Sequence, residues 1–278
     1  MKRILKIAAI ACTVALSACA PKAEQLSGLI GENRGSDDFN IGVAGYTFRK
    51  FNIDETLAYL QRLGVNYLSI KDFWLPLDAT AEDMEAFKAK CASYDVDPYI
   101  LGPIYMRSQE DVDRAFDYVG RFGQTMFIGV PSYDLLDYTI AKVKETGIKV
   151  AIHTHGPDNA PFPNIAKIVE MVGDSTIGIG CCMDLGHSVR YGDDIIADIR
   201  AYKDWIYDIH MKDETEASKE GRTHEMGRGV MNYKDIVKVL REVGYSGKIS
   251  LEFEGHGSDP FPAVCESVGY FRGICDAE

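Results

Sequence analysis

Ionisable side chains stand at the ends of several short apolar runs in this sequence. The residues that end or closely follow such runs are Lys71, His153, His155, Asp184, His187, His210, Glu252 and Glu254. In the segment VAIHTHG, strand alternation would point His153 and His155 to one face and Thr154 to the other. Buried imidazoles and carboxylates are costly unless they are paired or bind a cation. We therefore expect these side chains to converge on a ligand.

Two imidazoles and two carboxylates from separate runs form a mixed nitrogen and oxygen donor set. The candidate metal ligands are His153, Asp184, His210 and Glu252. This set suits one divalent first-row metal ion, with Mn²⁺, Co²⁺ and Zn²⁺ as the candidates. Each residue alone has an ordinary structural alternative, since a histidine is often hydrogen-bonded in a core and a carboxylate often caps a helix. The presence of four such residues together predicts the metal. Lys212 and Asp213 are expected to form an ion pair that orients His210.

The elements that must position these residues alternate along the chain. Apolar runs predict strands at 41–46, 65–71, 97–102, 125–130, 148–154, 177–183, 205–211 and 247–253. Helical spacing predicts helices between them, among them 53–63, 81–93, 109–122, 134–146 and 232–243, capped by Asn52, Thr80, Ser108, Ser132 and Asn232. Eight strands alternating with helices predict an α/β fold, a single-domain (β/α)8 TIM barrel. A doubly wound open sheet is the main alternative, but no glycine fingerprint follows the first run.

The first 18 residues predict a leader that is not part of the fold. A basic start, MKRILK, precedes the apolar stretch IAAIACTVAL, and LSAC follows. This order is typical of a secretory signal peptide, and the small residues ending in Cys19 resemble a bacterial lipoprotein signal with lipid on Cys19. Residues 19–38 would then be the lipidated cysteine and a linker, and 39–278 the barrel. The prediction is an exported, membrane-anchored lipoprotein that faces the periplasm or the cell surface and contacts the membrane only through its lipid.

The charge of the chain excludes one class of partner. There are 30 Lys and Arg residues against 42 Asp and Glu, which gives a net charge of −12. Because such a chain repels a phosphate backbone, we expect no nucleic-acid partner. The cysteines after Cys19 are too irregularly spaced for a disulfide framework, although a Cys265–Cys275 pair stays open. Whether the protein forms a homo-oligomer also stays open.

Several motifs resemble the xylose-isomerase-like superfamily of TIM barrels, the sugar isomerases and epimerases. They are YLSIKDFWLP, CCMDLGH, DIHMKD and GRGVMNYKDIVKVLREVGYSGKISLEFE, and the resemblance spans about residues 39–275. It implies that Asp184, His210 and Glu252 bind the metal. At the remaining ligand position the family usually has Glu, whereas this chain has His153. The loss of one of two paired glutamates favours a reaction with one base and a differently placed acid.

The chemistry expected at such a site begins with removal of the proton next to a sugar carbonyl. A divalent ion and Lys71 would stabilise the resulting oxyanion. The base would be Glu252, Glu254 or His155, and the sequence does not choose among them. The residues expected to contact the substrate, a small keto sugar or glycoside, are Lys71, His187, His224 and Arg228. The last two lie in the segment 212–230, whose length predicts a lid or substrate loop.

The YLSIKDFWLP segment and the paired histidines are similar to those of exported superfamily members that act on 3-keto-glycosides. The resemblance implies a 3-keto-glucopyranoside 1,2-lyase, which eliminates the substituent on C1. One alternative is a sugar isomerase or epimerase acting on a non-phosphorylated sugar, since no phosphate-binding glycine loop is evident. Another is a non-catalytic sugar-binding lipoprotein. The acidic charge disfavours a DNA-repair endonuclease on the same barrel.

Overall fold

The computed structural model describes residues 39–158, 161–255 and 259–277. The predicted signal peptide, Cys19 and the linker lie outside these residues. The strands are β1 (Asn40–Ala44), β2 (Tyr67–Ile70), β3 (Asp97–Leu101), β4 (Ile104–Met106), β5 (Met126–Pro131), β6 (Lys149–His153), β7 (Ile179–Asp184), β8 (Ile206–Met211), β9 (Asp213–Glu214), β10 (Thr223–His224) and β11 (Lys248–Leu251). The helices are α1 (Ile53–Leu63), α2 (Ala81–Ser93), α3 (Gln109–Phe122), α4 (Leu136–Thr146), α5 (Ile165–Val172), α6 (Leu185–Tyr191), α7 (Ile195–Ala201), α8 (Tyr233–Glu242) and α9 (Phe261–Ala277).

The main sheet is parallel and runs in the order β3-β2-β1-β11-β8-β7-β6-β5-β4. Only Gly102 and Pro103 separate β3 from β4, so these two strands are halves of one barrel strand that is interrupted at a cis peptide bond. The first half pairs with β2 and the second half pairs with β5. The sheet therefore closes through this interrupted strand. The predicted (β/α)8 barrel is confirmed, and the open-sheet alternative is excluded.

Helix starts follow the predicted capping signals with one exception. Side chains that accept a hydrogen bond from the backbone N–H three residues on belong to Asn52, Thr80, Ser108 and Asn232. The prediction of Ser132 as a cap was wrong. A 3₁₀ turn at Tyr133–Leu135 comes first, and α4 then begins without a side-chain cap. The turn supplies the backbone partners that a cap would otherwise provide.

Apolar side chains fill both sides of the barrel wall. The larger core lies between strands and helices, where Leu57 and Leu60 of α1 pack with strand residues such as Val43. A smaller cluster of Ile100, Ile128, Ala151 and Cys182 has the opposite strand parity and fills the barrel interior. Since parity repeats every two residues, the next inward positions on β6 and β7 are His153 and Asp184. Within the described ranges, no helix is both long and apolar enough to traverse a bilayer.

The segment predicted as a lid folds around a buried carboxylate. β9 and β10 pair as a short antiparallel ribbon. The carboxylate of Asp213 accepts backbone hydrogen bonds from Gly227, Gly229 and Met231. These hydrogen bonds hold the end of the segment next to its beginning, so local polar contacts fix the path of the backbone. Contact of this segment with a substrate stays a prediction. Elsewhere, Cys265 is exposed and Cys275 is buried, and the two are not joined by a disulfide.

Gly102→Ala should destabilise the barrel where its third strand is interrupted. Gly102 has a φ of +120°, and a Cβ there would lie 2.1 Å from the carbonyl oxygen of Ile128. We expect the free energy of unfolding to fall by about 3 kcal/mol or more, since both the backbone and the neighbouring strand must move. Denaturant titration measures this change. The control is Gly123→Ala, where φ is +90° and the added Cβ meets open space. It should cost about 1–2 kcal/mol, and equal losses would contradict the steric argument.

Candidate active site

The four predicted metal ligands meet at the carboxyl end of the barrel. His153 ends β6, Asp184 ends β7, His210 is the penultimate residue of β8, and Glu252 follows β11 directly. The strand register places Asp184 opposite His210 and His210 opposite Ser250, two residues before Glu252. All four ligand candidates are buried. Neighbouring parallel strands, whose ligand residues all face the inside of the barrel, therefore bring together residues that are far apart in sequence.

The spacing of the donor atoms fits a single ion. One donor atom from each of the four residues lies within 4.8 Å of the other three. His153 Nε2 is 3.1 Å from His210 Nδ1 and 3.7 Å from Asp184 Oδ2. Glu252 Oε2 is 3.6 Å from His210 Nδ1 and 4.0 Å from His153 Nε2. Donors that each sit about 2.1 Å from one ion lie roughly 3–4 Å apart. Spacing and donor chemistry therefore both suit a divalent first-row metal.

The protonation states of the two imidazoles also bear on metal binding, because only a neutral ring nitrogen can be a ligand. Burial lowers the pKa of His153 well below its usual range, and the imidazoles of His155 and His210 act in the same direction. Burial also acts to lower the pKa of His210, but the carboxylates of Glu252, Asp208 and Asp184 together outweigh it, so that this pKa is raised. His153 is therefore a neutral donor at pH 7. A cation at the site would favour the neutral form of His210 as well.

Lys212 is a buried cation whose partners differ from the predicted one. Its Nζ lies 3.0 Å from Asp184 Oδ2, 2.8 Å from Glu252 Oε2 and 2.8 Å from Glu254 Oε2. The expected ion pair with Asp213 does not form, because that carboxylate instead accepts backbone N–H groups. Strand parity could have predicted that Lys212 faces the site, because Asp208, His210 and Lys212 of the DIHMKD motif alternate on the same inward face.

Three carboxylates around one ammonium leave an excess of negative charge. Burial raises the pKa of Asp184 to about 7, against the opposing effect of Lys212. Burial acts upward on Glu252 too, but Lys212 and His210 outweigh it and hold the pKa of Glu252 well below its usual range. Uncompensated buried charge is costly. A divalent ion at the four donor atoms would balance the excess, so the charge count is a second feature that fits a metal.

A cavity of about 410 Å³ opens onto this cluster. Its walls include Lys71, Tyr105, His155, His187, Arg190 and Glu254. This volume lies in the range typical of small-molecule sites, about 300–1,000 Å³. Lys71 donates to the carbonyl oxygen of Pro103 over 2.7 Å, and burial lowers the pKa of its ammonium. The cavity is therefore large enough for a sugar and has a cation fixed in its wall.

The two histidines of the HTH segment lie side by side, as strand alternation predicts. Their ring centroids are 4.6 Å apart, whereas Thr154 turns away and its hydroxyl accepts a hydrogen bond from the backbone N–H of Asp184. His155 Nε2 lies 2.9 Å from the hydroxyl of Tyr105. Tyr105 was not among the residues that the sequence predicted to contact the substrate. Its polar contact depends on the third strand lying next to the cavity, which the closed barrel alone reveals.

His187 lines the cavity beside the metal ligands. Its backbone N–H donates to Asp184 Oδ1 over 2.8 Å, which caps α6. The other carboxylate oxygen, Oδ2, faces the donor cluster, so capping and metal binding are compatible in Asp184. His187 Nε2 lies 3.4 Å from Lys212 Nζ, and its Nδ1 lies 3.3 Å from Arg190. The imidazole is thus held between two cations, which together with burial lower its pKa well below the usual range.

The structure does not bring two of the predicted substrate-binding residues to the cavity. Arg228 pairs with Glu266 on α9 and is largely exposed. The imidazole of His224 is engaged by the adjacent carboxylate of Glu225. Neither lies among the residues that line the cavity. The geometry thus offers no support for their role in substrate binding, because both side chains are engaged by carboxylates that do not line the cavity.

The fold and the donor cluster define a (β/α)8 barrel with a candidate divalent-metal site. A family model described as xylose isomerase-like TIM barrel matches residues 57–274. The chain belongs to this family, as its motifs predicted. The same match covers strands β2 to β11 and therefore every candidate ligand.

Known proteins resemble this chain in part of its sequence and in its fold. Inosose dehydratase from Lacticaseibacillus casei is 26% identical over 129 residues, 41% of this chain and 43% of that protein. The chain therefore matches less than half the length of this curated relative. Among solved structures, 3-keto-D-glucoside 4-epimerase from E. coli has a TM-score of 0.69 at 15% identity and covers 84% of this chain and 99% of its own. The IOLI protein with a bound zinc atom has a TM-score of 0.68 at 17% identity, with 85% and 98% covered.

Lys212→Met should destabilise the metal-free protein by about 3–5 kcal/mol, because it leaves buried carboxylates without their cation. Saturating Mn²⁺ should recover part of this loss, since the ion would restore the charge balance. Denaturant unfolding with and without Mn²⁺ measures both effects. In the control Lys90→Met, the lost partner is the exposed Asp54. It should cost less than about 1 kcal/mol and should not respond to the metal. An Lys212→Met variant no less stable than this control would contradict the argument.

Proposed function

We propose that this protein is a metal-dependent enzyme that removes the proton next to the carbonyl of a keto sugar. Its substrate would be a 3-keto-glucopyranoside, from which it would eliminate the C1 substituent. The observation that carries the proposal is the arrangement of one cavity. His153 and Glu252 of the four-donor cluster line this cavity, and Asp184 and His210 complete the same cluster. A fixed cation, Lys71, and groups able to move a proton form its walls.

A bound divalent ion would supply Lewis acidity toward a carbonyl oxygen. Lys71 follows β2, four barrel strands from Asp184, so its ammonium approaches a bound sugar from the other side of the barrel axis. There it would stabilise the negative charge that develops on the carbonyl oxygen. This role needs no change in its position, because the hydrogen bond to Pro103 already fixes the ammonium.

Glu254 is the base that the geometry favours. It lines the cavity and its side chain is 31% exposed, so one carboxylate oxygen can reach a substrate while Lys212 holds the other. Glu252, in contrast, is buried and is engaged by Lys212 and His210 as one of the metal donors. A general base must reach the proton that it removes. We therefore place proton abstraction at Glu254 and metal binding at Glu252.

His153 supports elimination over epimerisation. Inverting a carbon requires a proton donor and an acceptor on opposite faces of the sugar, and the resemblance assigns this to two metal-bound glutamates. With His153 at one of these positions, the described ligand set has a single glutamate, Glu252. The relative named inosose dehydratase supports the same class of step, because dehydration also expels an oxygen substituent next to a carbanion.

A second candidate function is a sugar isomerase or epimerase. The neighbour named 3-keto-D-glucoside 4-epimerase favours it and supports a keto-glucoside as substrate for either reaction. A phosphorylated sugar is disfavoured, since Lys71 and Arg190 are the only Lys and Arg side chains among the described lining residues and Arg190 is already paired with Asp158 at 2.9 Å. We also propose that the protein is exported as a lipoprotein, which would expose the enzyme to free glycosides.

The test uses the full chain purified in mild detergent, stripped of metal and then reconstituted with Mn²⁺, Co²⁺ or Zn²⁺. We expect metal-dependent release of 4-nitrophenol from 4-nitrophenyl 3-keto-β-glucoside, together with an unsaturated keto sugar. Metal-dependent deuterium exchange next to the carbonyl without release would move the assignment to an isomerase or epimerase. Binding of the glycoside without either reaction would favour a sugar-binding protein.

Asp184→Asn should weaken binding of Mn²⁺ by about 100-fold or more, since an amide is a much poorer ligand than a carboxylate. Calorimetric titration of the metal-stripped protein measures the affinity without relying on turnover. The matched control is Glu242→Gln, which removes a carboxylate from a surface pair with Arg200. It should leave the Mn²⁺ affinity unchanged. Wild-type affinity in Asp184→Asn would show that the four-residue cluster is not the metal site.

A further inference from the structure

Tyr105 occupies a part of the cavity that the proposed reaction has so far left without a role. It lies on β4, the second half of the interrupted third strand. Its side chain lines the cavity, and the residue is 47% exposed. The hydroxyl is held at 2.9 Å from Nε2 of His155. The phenol therefore has one fixed polar contact within the cavity and one side open to solvent.

The other polar groups in the cavity wall are less suited to giving up a proton to a leaving group. Arg190 forms a bidentate pair with Asp158, and Lys71 is the cation proposed to stabilise the oxyanion. His187 lies between two cations, Arg190 and Lys212, which disfavour its protonated form. In the tautomer with its proton on Nε2, His155 donates to the oxygen of Tyr105 and leaves the phenol proton free for a ligand. The hydroxyl is then both oriented and available.

We infer that Tyr105 is the general acid that protonates the departing oxygen on C1, an assignment that rests on the proposed elimination. Removal of the C2 proton leaves an electron pair, which forms the C1–C2 double bond. The C1–O bond breaks, and its electrons go to the aglycone oxygen. That oxygen takes the phenol proton of Tyr105 and leaves as an alcohol. Water then returns a proton to the phenolate, and the base releases the C2 proton to solvent.

Two properties of Tyr105 suit it to this step. Burial, followed by the negative charge of Glu252, raises the pKa of its phenol, so the group holds its proton at neutral pH. Its partial exposure gives water access to the oxygen after proton transfer. Its place on the third strand also sets it two barrel strands from His153 and four from His210. A leaving group directed toward the third strand would meet this hydroxyl.

The test is a series of 3-keto-β-glucosides whose leaving groups range from 4-nitrophenol to methanol, with the Mn²⁺-loaded full chain. Tyr105→Phe should reduce methanol release by about 100-fold or more, because a poor leaving group needs the acid. Release of 4-nitrophenol should change by only a few-fold, since that oxygen leaves without protonation. Deuterium exchange at C2 should be retained. Tyr133→Phe, a surface phenol that packs on Phe162, is the control and should behave as wild type.

The outcomes separate this assignment from the function on which it rests. Equal loss across all leaving groups in Tyr105→Phe would indicate a positional defect and overturn the assignment, as would no loss with any of them. The other cavity phenol is Tyr46, so a dependence on leaving group that appears in Tyr46→Phe instead would also overturn it. Each of these results leaves elimination intact. A wild-type protein that exchanges the C2 proton but releases no leaving group overturns both proposals.

Discussion

The arrangement of the candidate site depends on how buried negative charge is balanced at the end of the barrel. Asp184 and Glu252 are buried, and the Lys212 ammonium contacts both of them as well as Glu254. One ammonium cannot neutralise three carboxylates, and two facing imidazole nitrogens do not add the missing charge while they are neutral. The polypeptide thus provides part of the compensation and leaves room for a cation to provide the rest. Because Lys212 and the ion would share oxygens, changes in either must affect the other.

The closed parallel sheet brings the four candidate ligands together. Four strands from β6 to β11 deliver ligands from positions separated by about a hundred residues of sequence, and the register leaves all of them on the inner face. The cluster of Ile100, Ile128, Ala151 and Cys182 lies beneath them, together with the buried Asp208, whose carboxylate accepts a hydrogen bond from Tyr99. Burial away from water strengthens the electrostatic interactions of the donors. Access is therefore restricted to the cavity at the carboxyl end, where barrels of this class hold their active sites.

Periodicity alone was enough to predict the barrel and the four candidate ligands, since apolar runs mark strands and parity decides which residues face inward. Contacts that depend on side-chain conformation were not predictable in this way. Lys212 was assigned to its sequence neighbour Asp213, but it pairs with carboxylates at the ends of two other strands, while Asp213 accepts backbone N–H groups of its own loop. Arg228 and His224 were grouped with the site because of their position in the chain, but their side chains are engaged by Glu266 and Glu225 instead. The contact between Tyr105 and His155 joins two strands whose proximity no local pattern contains.

The presence of His153 where the resemblance implies a glutamate affects which group can remove the substrate proton. A histidine keeps the donor count but removes a negative charge and a carboxylate that could exchange protons, so proton abstraction must come from a group beside the metal. Glu254 lies on one side of the cavity, while the phenol of Tyr105 enters from the interrupted third strand on another. The proposed elimination needs groups at two points of the cavity, because the base takes the proton from C2 while the acid protonates the oxygen that leaves C1.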